Sequence, residues 1–414
     1  MRIATSQIYS STVLTMEDQQ AQLLQIQQQV SSGTSLATAG DNPVAAAQAV
    51  QLSATSAALN QYATNQNTAL SSLGLEDTTL SSVTSTLQAI NSLLQSAGNG
   101  SLNDQDRTAI AKQLQGDRDQ LLSLANTTDG TGHYLFAGFQ ASTPPFSNSS
   151  GGGVTYAGDE GQRLVQVSSN RQISSADTGT AVFMSVQPVG SAPVPAGASG
   201  NGGTATIGAV TVSDPSAASN GTPYEIKFSV DATTGATTYD VIDNSGPTPT
   251  TLQSDQPYTD GQPISLGSGM SVAISGTPAD GDNFSVTQAN QAGTDIFATI
   301  DSAIAALETP AQGSQAASAT LQNAMATAMT KVGNALGNVT TLQASVGGRE
   351  QELKALQTVT STSSLQVQSN LEDLTSTDMI SAISQFEQLQ NALSASQKSF
   401  VSMQNLSLFQ YLNP

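Results

Sequence analysis

The sequence has no cysteine and no tryptophan, and it has a single histidine among 414 residues. Without cysteine the chain forms no disulfide, has no thiol nucleophile and offers no thiolate ligand for zinc. The one histidine, His133, excludes a metal site built from several imidazoles, and a Ser-His-Asp triad would have to use it. It stands beside Tyr134 and Phe136, where a packed or half-exposed imidazole is expected. We therefore predict no catalytic residue, no metal and no cofactor, and no enzyme.

Charge is also scarce, because only 10% of the residues are Asp, Glu, Lys or Arg, and the 31 acidic residues outnumber the 11 basic ones. Nucleic acids and anionic membranes require clustered Lys and Arg, so neither is an expected partner. No apolar run approaches the length of a membrane span, and the N-terminus lacks the apolar segment of a signal peptide. These features predict a cytoplasmic protein or one exported without a cleavable signal.

Two short motifs suggest ligand sites but are better explained by backbone geometry. Residues 280–283 (DGDN) could hold a hard cation, yet they lack the twelve-residue spacing and closing glutamate of an EF-hand, so we predict a β-turn. Gly347 and Gly348 are not followed by the Lys-Ser/Thr of a phosphate-binding loop. We predict a backbone hinge between two helices at these glycines.

The chain does contain a long helical seam between residues 52 and 94. Leucines recur there every seventh residue, with Gln66 as the one interruption, and Glu76 is the polar exception in the second row. Asn42 and Pro43 suit the first positions of this helix, which we expect to end near Ala97. Burial stabilises each leucine by about 1.5–3 kcal/mol, so the seam needs a covering partner. The predicted bundle core consists of Leu59, Leu73, Leu80, Leu87 and Leu94.

The rest of the chain divides into helical ends and a different middle. Helical spacing continues from Asp104, as a cap, to about residue 129, and it resumes near Asp295 and reaches the C-terminus. Residues 141–290 show short alternating runs between Gly, Asp, Asn and Pro, which indicates strands, and residues 191–203 read as a flexible loop. The fold class is therefore α+β: an antiparallel helical bundle from both ends, with an inserted β-rich domain. The C-terminal third is the expected partner of the leucine seam.

Both ends of the sequence resemble the flagellin superfamily of bacterial flagellar proteins, and within it the proteins of the hook-filament junction. The resemblance is carried by six segments: 2–9 (RIATSQIY), 27–33 (QQQVSSG), 41–46 (DNPVAA), 133–138 (HYLFAG), 346–350 (VGGRE) and 405–412 (NLSLFQYL). It implies an extracellular structural adaptor that joins hook to filament and is exported unfolded. The implied partners are copies of itself in a ring, neighbouring hook-associated and filament subunits, and an export chaperone.

The heptads near the two termini are shorter and weaker than the central seam. We therefore predict that they are disordered in the monomer and fold when they pack against other subunits. The predicted domains are 1–40 with 379–414 as terminal helices, 41–140 with 291–378 as the bundle, and 141–290 as the β-rich domain. The predicted intersubunit residues are Tyr9, Met16, Leu23, Val30, Phe386, Leu393, Phe400, Met403, Leu406 and Phe409.

Two other functions fit part of the pattern. A filament-forming flagellin shares the terminal motifs, although residues 133–139 argue against it. An exported adhesin or secretion-tip protein would have a helical stalk and a β head, but it has no need of matching motifs at both ends. An adaptor at the hook-filament junction is the interpretation that accounts for both the matching terminal motifs and residues 133–139.

Overall fold

The structure is a computed structural model that describes residues 5–36, 38–188 and 190–411. The helices are α1 Thr5–Ser32, α2 Pro43–Ala97, α3 Asp104–Ala125, α4 Gly179–Phe183, α5 Ile296–Glu308, α6 Gln315–Thr375 and α7 Met379–Tyr411, with a 3-10 turn at Ala218–Gly221. The strands are β1 Phe146–Asn148, β2 Val154–Tyr156, β3 Leu164–Ser168, β4 Arg171–Ser174, β5 Val194–Gly197, β6 Thr206–Val212, β7 Tyr224–Val230, β8 Thr237–Asp243, β9 Thr250–Pro257, β10 Pro263–Leu266, β11 Met270–Ser275 and β12 Asn283–Thr287. The fold class is α+β, with helical ends around a β-rich middle, as predicted. Within the described ranges, no helix combines the length and hydropathy needed to cross a membrane.

The limits of α2 agree with the prediction, because both are set by local chemistry. Asn42 accepts a hydrogen bond from the backbone N–H of Ala45 through its side-chain oxygen at 3.1 Å, and Pro43 occupies the first helical position. The helix ends at Ala97, immediately before Gly98.

The start and end of α3 both differ from the prediction. Asn103, not Asp104, caps the helix by accepting the N–H of Asp106 at 2.9 Å. The Asp104 carboxylate instead accepts the backbone N–H of Ala311 at 3.1 Å, in the connection between α5 and α6. The helix also ends at Ala125, short of residue 129. Asn126 follows it, and its side chain exchanges two hydrogen bonds with the backbone of Phe146.

Helix α6 runs without interruption through Gly347 and Gly348, so the predicted hinge between two helices is wrong. Each glycine costs a helix about 1 kcal/mol relative to alanine. That cost is too small to break a helix whose residues are buried both before and after the glycine pair. Val346 and Leu353 are fully buried on the two sides of the glycine pair. Tertiary packing therefore overrides the local preference.

In the described ranges, the β-rich middle contains two larger sheets and two hairpins. The five-stranded sheet has the order β5-β12-β7-β8-β9, the three-stranded sheet has the order β10-β11-β6, and the hairpins are β1-β2 and β3-β4. One apolar cluster, which includes Ile226, Phe228 and Phe284, draws on both sheets. The prediction of a loop over residues 191–203 is wrong at β5, which pairs with β12. Because β5 is an edge strand, the lack of an N–H at Pro195 is tolerated.

The chain forms two compact units, which we call the smaller unit (residues 1–65 and 355–414) and the larger unit (residues 66–354). Helices α2 and α6 contribute to both. In the larger unit these helices are neighbours, and Gln343 of α6 donates a hydrogen bond to Asp77 of α2 at 3.1 Å. The three-part division expected from the sequence stays a prediction.

Candidate assembly surface

The predicted intersubunit residues lie on α1 and α7, which pack against each other in the smaller unit. The ring of Tyr9 meets that of Phe400 edge-on with centroids 5.2 Å apart, and the Ser396 hydroxyl lies 3.0 Å from the side-chain oxygen of Gln19. Among the ten predicted residues, those with described side chains are half-buried: Tyr9, Met16, Leu23, Val30, Phe386, Leu393, Phe400 and Met403. The side chains of Leu406 and Phe409 lie outside the described part of the structure.

The connections that follow α1 and α6 hold the two terminal helices side by side. Gly33 ends α1 with φ +71°, a conformation that favours glycine. Its carbonyl accepts the N–H of Thr377 at 3.0 Å, and Ser35 donates its N–H to the carbonyl of Thr375 at 2.8 Å. These two bonds fix the point at which α1 ends and α7 begins.

A second set of residues in the smaller unit is apolar and exposed. Of the fourteen large hydrophobic residues exposed in the described ranges, ten belong to this unit, although it is the shorter one. Ile380 is the extreme case, with 84% of its surface exposed. Single exposed hydrophobic residues are normal on a soluble protein, so the feature that distinguishes this unit is that it carries ten of the fourteen. The ten are Leu14, Leu24, Val44, Val50, Val359, Leu365, Met379, Ile380, Ile383 and Val401.

Sequence reasoning missed these ten residues, because a search for heptads selects the side chains that face each other along a helix pair. Met379 lies on the heptad row of Phe386, Leu393 and Phe400, but the other nine exposed residues lie off that pattern. The signal that could have found them is the abundance of Leu, Ile and Val at positions between the heptad rows, where a solvated helix normally carries charge.

The predicted bundle core divides between the two units. Leu73, Leu80, Leu87 and Leu94 belong to the larger unit and have at most 1% of their surface exposed. Leu59 belongs to the smaller unit and is half-buried. The seam is thus tightly covered only in the larger unit.

The two polar residues that interrupt the α2 seam bind backbone groups of the β-rich middle. Gln66 donates a hydrogen bond to the carbonyl of Val167 at 2.7 Å, and Glu76 accepts the N–H of Asp177 at 2.8 Å. Burial, and next the charge of Asp177, raise the pKa of Glu76 to about 8. Arg349 of α6 binds the Asp177 carboxylate at 2.6 Å. These contacts attach the β3-β4 hairpin and the loop after it to α2 and α6.

Three buried asparagines on α6 make a further attachment that the sequence did not suggest. Asn323 accepts the N–H of Ile207 at 2.9 Å and donates to the carbonyl of Ala205 at 3.1 Å. Asn334 makes the same pair of bonds with the backbone of residue 192, and Asn338 donates to the carbonyl of residue 181. Since a buried amide must be hydrogen-bonded, these positions fix the path of the incoming chain along α6.

A buried arginine joins α3 to α5 and to the first hairpin. Arg118 is 4% exposed, and its guanidinium binds the Asp301 carboxylate through two bonds of 2.7 and 3.0 Å. It also donates to the carbonyl of Gly153 at 3.1 Å, and it lies 5.7 Å from the ring centroid of Phe297. A guanidinium with this many partners offsets much of the cost of its burial.

His133 and the 280–283 turn, which the sequence suggested as possible ligand sites, make hydrogen bonds within the protein. His133 is exposed and lies 2.8 Å from the Thr131 hydroxyl. Asp282 is buried in the predicted turn, where its carboxylate accepts the backbone N–H groups of Gly202, Gly203 and Ala279 at 2.8 to 3.1 Å. Those amides occupy the oxygens that a cation would need. Within the described ranges, no group of three acidic or histidine side chains is arranged to hold a metal ion.

Comparison with known proteins gives consistent results. Residues 3–141 match the family described as the bacterial flagellin N-terminal helical region. Flagellar hook-associated protein 3 of Escherichia coli (strain K12) is 30% identical over 410 residues, and that of Salmonella typhimurium is 29% identical, each over 99% of both chains. The crystal structure of hook-associated protein 3 from Legionella pneumophila superposes with a TM-score of 0.69 at 27% identity, covering 78% of this chain and 98% of that one. The crystal structure of FlgL from Xanthomonas campestris gives a TM-score of 0.66 at 28% identity, covering 77% and 98%.

Helical ends packed against each other, a β-rich insertion and the matched N-terminal region define a flagellin-like structural protein of the bacterial flagellum. Within that class, the similarity over nearly the whole of both chains is decisive. The chain belongs to the flagellar hook-associated protein 3 family.

Proposed function

We propose that this protein joins the hook to the filament of the bacterial flagellum by assembling into a ring of identical subunits through its smaller unit. The observation that carries the assembly mechanism is the concentration of exposed hydrophobic side chains in that unit. The junction role is supported by the match to two hook-associated proteins over 99% of their lengths, which also favours it over a filament-forming flagellin.

Sparse charge makes such an assembly favourable. Between Met379 and Tyr411, Glu387 and Lys398 are the only ionisable acidic or basic residues, so few charges would lose water when helices of neighbouring subunits meet. Each large apolar side chain that becomes buried contributes about 1.5–3 kcal/mol. Several of the ten exposed residues together would supply a stable contact. The half-buried seam of Tyr9 and Phe400 would be covered more fully in the ring.

The proposal extends to the partners and to the route of export. Hook-associated and filament subunits above and below the ring would contact the same helical unit, and an export chaperone would cover its apolar residues before assembly. Terminal helices that fold only on packing would suit the passage of an unfolded chain through a narrow channel.

A pair of variants tests the assembly surface. Replacing Ile380 and Ile383 with aspartate places charge in the proposed contact, while Leu252→Asp places charge on an equally apolar exposed residue of the larger unit. In a strain lacking the native gene, we expect Leu252→Asp to restore filaments and Ile380→Asp/Ile383→Asp to leave bare hooks, with monomeric flagellin in the medium. Electron microscopy shows whether filaments form, and circular dichroism of the purified variants shows whether they are folded.

Either of two outcomes would count against the proposal. Normal filaments in the strain that lacks the gene would show that the protein is not needed to join the filament to the hook. Normal filaments with the Ile380→Asp/Ile383→Asp variant would leave the junction role intact and show that the contact lies elsewhere.

A further inference from the structure

The carboxyl group of Glu76 is buried where three segments of the larger unit meet: α2, the loop that follows β4, and α6. None of its surface is exposed. One oxygen accepts the N–H of Asp177 at 2.8 Å, whereas the other is buried and accepts no hydrogen bond from the described residues. An ionised carboxylate in such a place is costly, because nothing replaces the water that its second oxygen has lost.

The charges around Glu76 do not compensate for this loss. Asp177 brings a second carboxylate, and the guanidinium of Arg349 binds Asp177 at 2.6 Å. The Nε atom of Arg349 is also buried without a partner. The remaining charged groups on the packed segments are engaged elsewhere: Asp77 with Gln343, Glu350 with Lys354, Glu352 with Arg171, Glu160 with Thr180, and Arg163 with the carbonyl of Leu135.

Burial therefore raises the pKa of Glu76 from 4.5 to about 8, and the nearby charge of Asp177 acts in the same direction, while the Asp177 N–H and the Arg349 charge oppose it. When the loop leaves α2, the carboxyl group returns to water and its pKa returns towards 4.5. The attached state then holds a proton that the detached state releases. Attachment is strongest below about pH 4.5, and it weakens as the pH rises to about 8.

We propose that Glu76 is a proton-controlled latch, whose neutral carboxyl group holds residues 171–178 on α2 and α6 and whose loss of a proton favours release of that segment. The segment is otherwise attached by the exposed ion pair of Arg171 with Glu352, by the mostly buried Arg349–Asp177 pair, by a hydrogen bond from Arg349 to the carbonyl of Ser174, and by the buried side chain of Ile173. The exposed Arg171–Glu352 pair contributes little, so the balance between the two forms depends on the buried contacts, and among these Glu76 is the group that exchanges a proton.

Hydrogen-exchange mass spectrometry of the full-length protein between pH 5 and 9 tests the latch. After correction for the intrinsic exchange rate, we expect the opening equilibrium of residues 171–178 to increase by up to tenfold per pH unit from pH 5 to 8, and then to level off. In Glu76→Gln, which keeps the shape but has no titrating proton, we expect no such dependence. A slope in the wild-type protein equal to that of Glu76→Gln would overturn the proposal.

Two controls separate the latch from general instability. Glu352 of α6 is the ion-pair partner of Arg171, which lies on the β3-β4 hairpin, and Glu352→Gln removes this pair. The hydrogen bond from Arg171 lowers the pKa of Glu352, so Glu352 does not change its charge between pH 5 and 9. Its replacement should therefore increase opening by the same factor at every pH in this range. Amides of α3 in the same molecules should keep a constant opening equilibrium. If Glu76→Gln fails to fold, a wild-type segment 171–178 that opens independently of pH, as α3 does, would overturn the proposal equally.

Discussion

At the scale of single residues, this fold depends on a few buried polar side chains that each bind several backbone segments. Arg118 shows why such residues matter, because its guanidinium joins α3 to α5 through Asp301 and to the first hairpin through Gly153. The same two helices also carry an exposed ion pair, Lys112 with Glu308 at 3.8 Å. Burial should make these two pairs very unequal in their contribution to stability.

We predict that Arg118→Met destabilises the protein by about 3–5 kcal/mol, because it leaves the Asp301 carboxylate without its cation. The double variant Arg118→Met/Asp301→Asn should recover part of the loss, since asparagine still accepts the N–H of Gly153. Lys112→Met, the matched exposed change between the same helices, should cost less than about 1 kcal/mol. Urea unfolding followed by circular dichroism measures all three. Equal losses for Arg118→Met and Lys112→Met would contradict the prediction.

We also predict that Leu80→Asp destabilises the larger unit by more than the loss of about 2–5 kcal/mol expected for Leu80→Ala. Leu80 is fully buried in the α2 seam, so aspartate would place an unpaired carboxylate there. Ser81→Asp, one position further and exposed, is the control. Thermal unfolding measures the effect, and an unchanged melting temperature for Leu80→Asp would mean that the seam is not a core.

At the scale of elements, α6 is held by its contacts rather than by its own helical preference. Gly347 and Gly348 lie within it, and a methyl group added at either position would meet no atom within 4 Å. The buried asparagines nearer its start bind the backbone of the β-rich middle. The helix therefore continues without a break through Gly347 and Gly348, two residues that would weaken an isolated helix.

Alanine at Gly347 and Gly348 should stabilise the isolated protein, by about 0.5–1 kcal/mol for each substitution. The reason is that alanine restricts the unfolded chain and meets no steric obstacle in the folded one. Denaturant unfolding of the single and double variants measures the gain. A loss of stability would show that this part of α6 needs the freedom of glycine.

At the scale of the whole molecule, the two units differ in how completely they bury their apolar residues. The larger unit has a seam with at most 1% exposure from Leu73 to Leu94, whereas the terminal seam of Tyr9 and Phe400 is half-buried. A unit with an incomplete core opens at a lower free energy than one with a complete core. We therefore predict that assembly stabilises the smaller unit more than the larger one.

Limited proteolysis of the purified monomer should accordingly remove the two ends first and leave a resistant fragment close to residues 66–354. A protease of broad specificity is needed, because the chain has only 11 basic residues for trypsin. Mass spectrometry identifies the fragments. The same digestion after assembly should leave the ends intact. Ends that resist cleavage in the monomer as well as the larger unit does would contradict folding on assembly.

The sequence by itself determined the features that depend on neighbouring residues. Asn42 and Pro43 fixed the start of α2, the seven-residue spacing gave its buried seam, and the change to alternating residues located the β-rich middle. Tertiary structure decided the features that depend on partners far along the chain. Helix α6 continues through its glycines because of packing, β5 forms because β12 pairs with it, and Glu76 is buried because residue 177 meets it across 101 positions of sequence. Local patterns carry no information on such distant contacts, and these contacts set the energies that decide between a helix and a hinge or between a loop and a strand.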